Sequence, residues 1–373
     1  LSRQTYEEYF ARIKSGDPSK LVVIIDEAQF VAKRDASFME AVAKLKKHKL
    51  YPGPVLIILA TSSTVWATQE AAEQFKGAKM KIESLNFLEV VRHFESLPVA
   101  EIVRIYGAIG GVPAYLDKWD AAKSFKDNIC RLVLTPSGAL YGEADAVISS
   151  ELRELSAYST ILAAIARGEN KLNDIFHATG FSRAKISVYL KNLAAFNIVE
   201  KVVSFETGGW ENAKKGVYQI KDTFVNFWFK FVYPNMSNLY LLSPEEFYDT
   251  YIEKELDAYL ERYFREVCTE YLLILNQMGQ LPFTIKRVGT WIGKTGRIDI
   301  VAQSEDRRSI IGFCNWDKPM MTMDMCENMA MAMEQARLTS DDYYLFSATD
   351  FEPALQSYVV RDPRFKLINM NEL

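Results

Sequence analysis

Cysteine and histidine are scarce in this chain. Its 373 residues include four cysteines, Cys130, Cys268, Cys314 and Cys326, and three histidines, His48, His93 and His177. No two cysteines form a C-x-x-C pair, so a zinc site is not expected. Four reduced, mostly buried thiols in a cytoplasmic protein are the expectation instead. Long apolar runs are also missing. Nothing approaches the roughly 20 residues needed to cross a bilayer, which removes a helical span and a membrane partner from consideration. Charge of one sign is not in surplus: 44 Lys and Arg face 48 Asp and Glu, a net charge of -4. No global basic field therefore draws the chain onto nucleic acid or anionic lipid, and any such contact has to come from a local patch. A signal peptide is not expected from the charged, helix-patterned opening, and no internal repeat or low-complexity linker is seen. The text opens on Leu1 rather than Met, inside an apparent helix, and the expectation is that the true beginning lies upstream.

What is present is an ordinary globular composition, 49% hydrophobic and 25% charged, long enough for two or three domains at roughly 100–200 residues each. Helical spacing over Tyr6 to Lys14 is broken by Gly16-Asp17-Pro18. Leu21-Val22-Val23-Ile24-Ile25 is a continuous apolar run, the pattern of a strand buried on both faces of a parallel sheet. A polar helical stretch, Ser37 to Lys49, follows, and then a second run, Val55-Leu56-Ile57-Ile58-Leu59. Strand, helix and strand at this spacing predict a βαβ unit. The pattern turns helical around Gly110-Gly111-Val112-Pro113. Further on, Lys171–Ala178 and Ser182–Phe196 read as two helices around Thr179-Gly180-Phe181. An alternating stretch, 197–203, turns at Gly208-Gly209 and returns through 216–220, which is a winged-helix layout. From about 246 a long helix (Tyr251–Leu275) precedes strands at 297–302, 309–313, 343–346 and 365–368, with a helix through the methionine-rich 320s.

The first run ends in Asp26-Glu27 and the second in Thr61-Ser62-Ser63. In open α/β sheets ligands bind beyond the carboxyl ends of the strands. There an Asp suits Mg²⁺, usually through water, and a Glu can polarise an attacking water. A hydroxyl on the neighbouring strand can sense a γ-phosphate. The competing reading is a solvated acidic turn and an N-cap serine.

LVVIIDEAQF (Leu21–Phe30), LIILATSS, Gly111-Val112-Pro113-Ala114-Tyr115-Leu116 and the downstream winged helix resemble the prokaryotic AAA+/STAND-type P-loop ATPases often called archaeal ATPases. Many members carry a C-terminal restriction-endonuclease-like domain, so the resemblance runs over the whole chain. It implies ATP and Mg²⁺ as cofactors. Asp26 matches the Walker B metal-binding Asp, Glu27 the catalytic Glu, and Ser62 or Ser63, beside Thr61, matches sensor 1. Gly111 and Pro113 match a G-x-P element near the nucleotide, against the alternative of a plain interhelical turn. The expected class is α/β. A partial P-loop core occupies 1–98, a helical lid 99–150, a winged helix-turn-helix 151–235 and a nuclease-like α/β domain 246–373.

The Gly-rich loop G-x-x-x-x-G-K-[ST] that cradles phosphates is not in this sequence. Gly289-Thr290-Trp291-Ile292-Gly293-Lys294-Thr295 is one residue short and leads into a strand rather than a helix, so a hairpin turn through Gly293 and Gly296 is predicted. Without that loop the chain could orient Mg²⁺ and water but could not hold triphosphate well.

In the second helix of the turn motif, Arg183, Lys185, Ser187, Tyr189 and Lys191 are candidates for DNA contact, with Lys214 and Lys215 near the wing. Nine basic against seven acidic residues over 151–220 is weak for a DNA binder, and a structural or protein-partner role, or self-association, competes. The segments 297–302 and 310–316 are similar to the PD-(D/E)xK nuclease pattern. Asp299 matches its first acid, but Phe313 and Asn315 stand where the second acid and the lysine belong. The helical Glu that often follows Phe is Arg265 here, with Glu266 and Glu270 as nearby substitutes. One carboxylate cannot hold two hard cations, so a degenerate nuclease site is expected. Met325, Met329 and Met333 recur at i+4 and predict a core stripe rather than a Cu(I) site. Phe224, Phe227, Trp228 and Phe231 predict packing rather than base stacking. The leading expectation is an ATPase-family protein coupling nucleotide state to the winged helix and an inactive nuclease-like domain. The alternative is a non-catalytic scaffold or regulatory binding module.

Overall fold

The computed structural model describes residues 5–13, 20–47, 50–51, 53–63, 65–71, 77–149, 152, 154–205, 216–293 and 296–373. It is a mixed α/β protein of two compact units, Leu1–Ile82 and Glu83–Leu373.

In the first unit the opening helix is Tyr6–Ala11, shorter than its predicted span, and a reciprocal capping box between Thr5 and Glu8 starts it. Strands β1 (Leu21–Ile25) and β2 (Val55–Leu59) pair in parallel, with Leu21 opposite Val55 and Ile25 opposite Leu59. Two helices lie between them, Ala28–Arg34 and Ala36–Lys46, so helix begins earlier than the Ser37 predicted. Asp35 separates them and accepts the Ser37 amide at 2.9 Å. Phe38, Val42 and Leu45 pack with Leu21 and Val23 in one core. The prediction that β1 is buried on both faces needs correction. Val22 is 56%, Ile24 67%, Leu56 56% and Ile58 42% exposed. The described helices cover only one face of this two-stranded sheet, so burial alternates with the strand period.

The second unit begins with helices Phe87–His93 and Val99–Ile109 and continues through Pro113–Leu116, Phe125–Ile129 and Glu143–Ser149. Helix Leu155–Ala166 then leads to Leu172–Thr179, which ends at Gly180 in the left-handed region (φ 69°). Ser182 caps the next helix, Arg183–Ala195, by accepting the Lys185 amide. Strands β3 (Val199–Val202) and β4 (Val217–Ile220) form an antiparallel pair. The predicted turn at Gly208-Gly209 and the wing lysines Lys214 and Lys215 lie outside the described residues. Phe224, Phe227, Trp228 and Phe231 are each almost wholly buried, as their spacing predicted.

The 25-residue helix Glu253–Gln277 precedes β5 (Arg287–Ile292), β6 (Arg297–Gln303) and β7 (Ser309–Asn315), an antiparallel meander. The short strand β8 (Met320–Met321) and helix Met323–Ala336 follow. Next come β9 (Asp342–Ser347), the short strand β10 (Asp350–Phe351) paired with β8, helix Pro353–Arg361 and β11 (Phe365–Asn369). The five-stranded sheet runs β11-β9-β7-β6-β5, with β7, β9 and β11 parallel. Strand β5 was hidden from the sequence reading inside the loop-like glycine segment. Gly293 and Gly296 close its hairpin, the Gly293 amide donating to the Gly296 carbonyl at 2.9 Å; Lys294 and Thr295 lie outside the described residues. Met329 and Met333 are buried against Ile298, Val301 and Leu345, the core stripe expected. A second, larger core draws on residues from Phe87 to Met370. At Gly107 a Cβ would come within 2.4 Å of the Leu260 side-chain Cδ2, so a larger residue there would have to push that methyl aside where the Val99–Ile109 and Glu253–Gln277 helices pack.

Candidate functional site

Because β1 and β2 are parallel and in register, both carboxyl ends reach the same rim. The Ala60 amide donates to the Ile25 carbonyl at 2.9 Å and the Ala28 amide to the Ala60 carbonyl at 3.0 Å, tying the two strand-end loops together. Glu27 takes a left-handed backbone (φ 48°, ψ 42°) at the start of helix Ala28–Arg34, a conformation uncommon for a non-glycine residue. Its Oε2 accepts the Ser62 hydroxyl at 2.9 Å, the Ser62 amide at 3.3 Å and the Gln29 side-chain amide. These donors, Gln29 foremost, hold the Glu27 carboxyl below the usual carboxylate range, against a smaller opposing effect of burial. Gln29 also reaches Ser62 Oγ at 3.2 Å. It is 1% exposed, and its Oε1 finds no partner among the described residues. Sequence reasoning missed Gln29; its signal was a polar residue in the first turn of an otherwise inward-facing segment.

Asp26 is exposed, and its Oδ1 accepts the Glu27 amide at 3.0 Å. Of the three hydroxyl residues on the β2 side, only Ser62 meets Glu27. Thr61 Oγ1 accepts the Ser63 amide at 3.0 Å. Ser63 is 1% exposed and its Oγ accepts the Trp66 amide at 3.3 Å, so it caps the turn behind the rim rather than facing it. For an ATP·Mg²⁺ group the fit is partial. Asp26 is an exposed hard-oxygen donor of the kind Mg²⁺ takes when phosphates and water complete its shell. The described residues at this rim provide no run of backbone amides to cradle phosphates.

Gly111 and Pro113 belong to the other compact unit. A Cβ at Gly111 would sit 1.8 Å from the Leu85 carbonyl oxygen, and the Leu85 amide donates to the Gly111 carbonyl at 2.8 Å. Pro113 starts helix Pro113–Leu116, where its missing N–H costs nothing. Both residues thus have packing work to do.

The five candidate DNA contacts separate. Tyr189 is 8% exposed and directs its hydroxyl to Glu154, which corrects its assignment to the open face of the helix. Arg183 stacks its guanidinium 4.1 Å from the Phe176 ring and donates to Asn173. Lys185 is half-buried and lies 4.5 Å from the Phe181 ring. Ser187 and Lys191 are exposed.

Around Asp299, Ile300 pairs with Gly312, and one ladder step on brings Asp299 beside Phe313 and Cys314. Asp299 is 5% exposed. Its Oδ1 accepts both Arg265 Nε and Arg297 Nε at 2.9 Å, and its Oδ2 accepts the Cys314 amide at 3.1 Å. Phe313 joins the methionine core. Asn315 donates to Ser347, Thr349 and the Lys318 carbonyl, a tie for the loop after β7. The substitutes considered for a second acid are committed elsewhere. Glu266 pairs with Arg262 at 2.8 Å. Glu270 accepts the Phe87 and Leu88 amides at 3.1 and 3.2 Å, sealing the N-terminus of helix Phe87–His93. Among the described residues no group of three His, Cys, Asp or Glu side chains comes together to hold a metal. No described helix is long and apolar enough to cross a membrane.

Residues 228–333 match the family DUF234, described as archaeal and bacterial proteins of unknown function. The chain is similar to "Uncharacterized protein MJECL04" of Methanocaldococcus jannaschii, 27% identical over 356 residues, covering 93% of this chain and 78% of the relative. Protein VC1899 from Vibrio cholerae, a solved structure, aligns over 95% of this chain and 88% of its own at 10% identity, with a TM-score of 0.24.

Proposed function

We propose that this chain carries the water-activating half of a nucleoside-triphosphate site, and that its second unit is a non-cutting effector module answering to that site. The observation that supports the reading best is the contact between Glu27 and Ser62. A carboxylate at the end of one parallel strand is held by a hydroxyl at the end of its neighbour. Held ionised by neutral donors, Glu27 can accept a proton from an attacking water. Ser62, bridged to it, couples its position to whatever anion occupies the rim. Asp26 would hold Mg²⁺ beside them, and the metal would supply charge neutralisation at the phosphates.

For the second unit, the order helix, antiparallel meander, crossover helix and parallel strand supports a nuclease-like layout. Asp299 is occupied by two guanidiniums, which supports reading that layout as one without metal-dependent cleavage. The helix-turn-helix and hairpin at 172–220 support a winged-helix element whose open face offers Ser187 and Lys191. A docking role competes with DNA contact there.

The test is phosphate release from ATP by the natural gene product containing this sequence, wild type against Glu27→Gln. Loss of roughly 10²–10⁴-fold in turnover with nucleotide binding retained is expected. Turnover unaffected by the substitution refutes the proposal. The 373 residues by themselves are expected to bind ATP·Mg²⁺ more weakly than micromolar, which isothermal titration checks.

A further inference from the structure

We propose that the cleft around Asp299 is an oxoanion site, in which Arg265 and Arg297 grip the phosphate group of a phosphate ester where a related enzyme would place metal ions. The cleft has a volume of about 400 Å³, within the range that holds a nucleotide-sized ligand. The inference is independent of ATP hydrolysis at the first unit.

Each arginine spends only its Nε on Asp299. Among the described residues, neither guanidinium uses its terminal Nη groups in any other hydrogen bond. Two forks of N–H donors are therefore left to the cleft, one on a side chain only 15% exposed and the other 43%. A guanidinium is planar and always charged, and its donors match two oxygens of one oxoanion. Asp299 fixes both forks by the inner nitrogen, which limits the entropy lost when a ligand arrives. The floor of the site carries two positive charges against one negative.

Other charges at the cleft temper this. Lys318 is paired with Asp317 at 2.8 Å, and Glu261 stands at the wall. A free multivalent anion gains little from a balanced rim, so recognition has to come from the guanidinium donors and the apolar wall. That wall holds Phe264, Phe313, Trp316 and Met325. A phosphate attached to a flat apolar group satisfies both surfaces. Such a group can come from a free nucleotide or from a nucleic-acid strand.

The experiment titrates the full chain, in EDTA, with inorganic phosphate, a deoxynucleoside monophosphate and a short single-stranded oligonucleotide. Binding of the monophosphate or the oligonucleotide at or below about 1 mM, tighter than inorganic phosphate, is expected. Tighter oligonucleotide binding assigns a nucleic-acid source, and equal binding per phosphate a free nucleotide. Arg297→Gln, at a side chain 43% exposed, is expected to weaken binding about 10–100-fold, and Arg265→Gln at least as much. Asp299→Asn keeps an acceptor for both Nε groups while removing the competing charge, and is expected to tighten binding. No binding of any probe at 5 mM overturns the proposal, as does binding that Arg297→Gln leaves unchanged. Binding that appears only when Mg²⁺ replaces EDTA also overturns it.

Discussion

Removing the Asp299 carboxylate is expected to destabilise the second unit, and the sign of that change is informative. In a working metal-dependent nuclease, acidic side chains crowd together, and deleting one relieves repulsion in the metal-free protein. Here Asp299 is compensated instead. Asp299→Ala deletes the charge-assisted bond to Arg265, whose side chain is 15% exposed, a loss of about 1.5–3 kcal/mol. It deletes the bond to Arg297, whose side chain is 43% exposed and which solvent screening holds to about 0–1 kcal/mol. It also leaves the Cys314 amide, 3.1 Å from Oδ2, without its acceptor, at about 1–3 kcal/mol. These losses overlap, and about 4 kcal/mol is a reasonable total, in line with breaking a buried ion pair from one side. For a unit of this size that lowers Tm by about 8 °C. Calorimetry of the full chain, following the transition of the larger unit, is the assay. A Tm unchanged or raised in Asp299→Ala would mean that the two guanidiniums do not depend on the carboxylate, and the ion-pair account of this cleft would fail.

Gly111→Ala is expected to cost at least about 3 kcal/mol, because its Cβ would lie 1.8 Å from a backbone carbonyl that cannot swing aside. A variant as stable as wild type would free Gly111 from its packing role and return the nucleotide-proximal reading to the front. Glu27 is expected to make a small, pH-dependent contribution of under about 1 kcal/mol to the strand-end loops, since it is only half-buried. Its folded pKa is depressed by Gln29 and Ser62. The contribution is therefore present above its ordinary value, about 4.3, and is lost as pH falls through the depressed one. Hydrogen-exchange protection at the Ala28 and Ala60 amides, compared between wild type and Glu27→Gln, should differ at pH 7 and converge under acid; an equal difference at both extremes contradicts the assignment.

Periodicity made much of the fold legible. The apolar segments read as strands at 297–302 and 309–313, the i+4 methionines and the capping Ser182 each carry their structural meaning within a few residues. What the sequence could not disclose was how many neighbours each element would have. Leu21–Ile25 has the composition of a doubly buried strand, yet composition records only that both faces are apolar. Whether a second layer covers Val22 and Ile24 depends on chain elsewhere. Strand β5 was masked because its glycines serve a hairpin and resemble a loop motif. Tyr189 reads as available when Ile186, Leu190 and Leu193 fill the inward face, whereas its hydroxyl is claimed by Glu154, 35 residues away.

Two carboxylates, Glu27 just past the end of β1 and Asp299 within β6, show why a site's chemistry resists reading from its acid alone. Both Glu27 and Asp299 stand beside a parallel or antiparallel neighbour that contributes a donor, and both looked like metal or water ligands in sequence. Their partners differ in charge. Ser62 and Gln29 are neutral, so they orient Glu27 without cancelling it, and its charge stays free to attract a proton or act beside a cation. Arg265 and Arg297 are cations themselves, so a metal approaching Asp299 has to displace a guanidinium and then face two like charges a few ångströms off. The residue that decides this, Arg265, lies 34 positions before Asp299 on a helix. Only folding brings it close, and once there its charge opposes a cation at Asp299 and favours an anion.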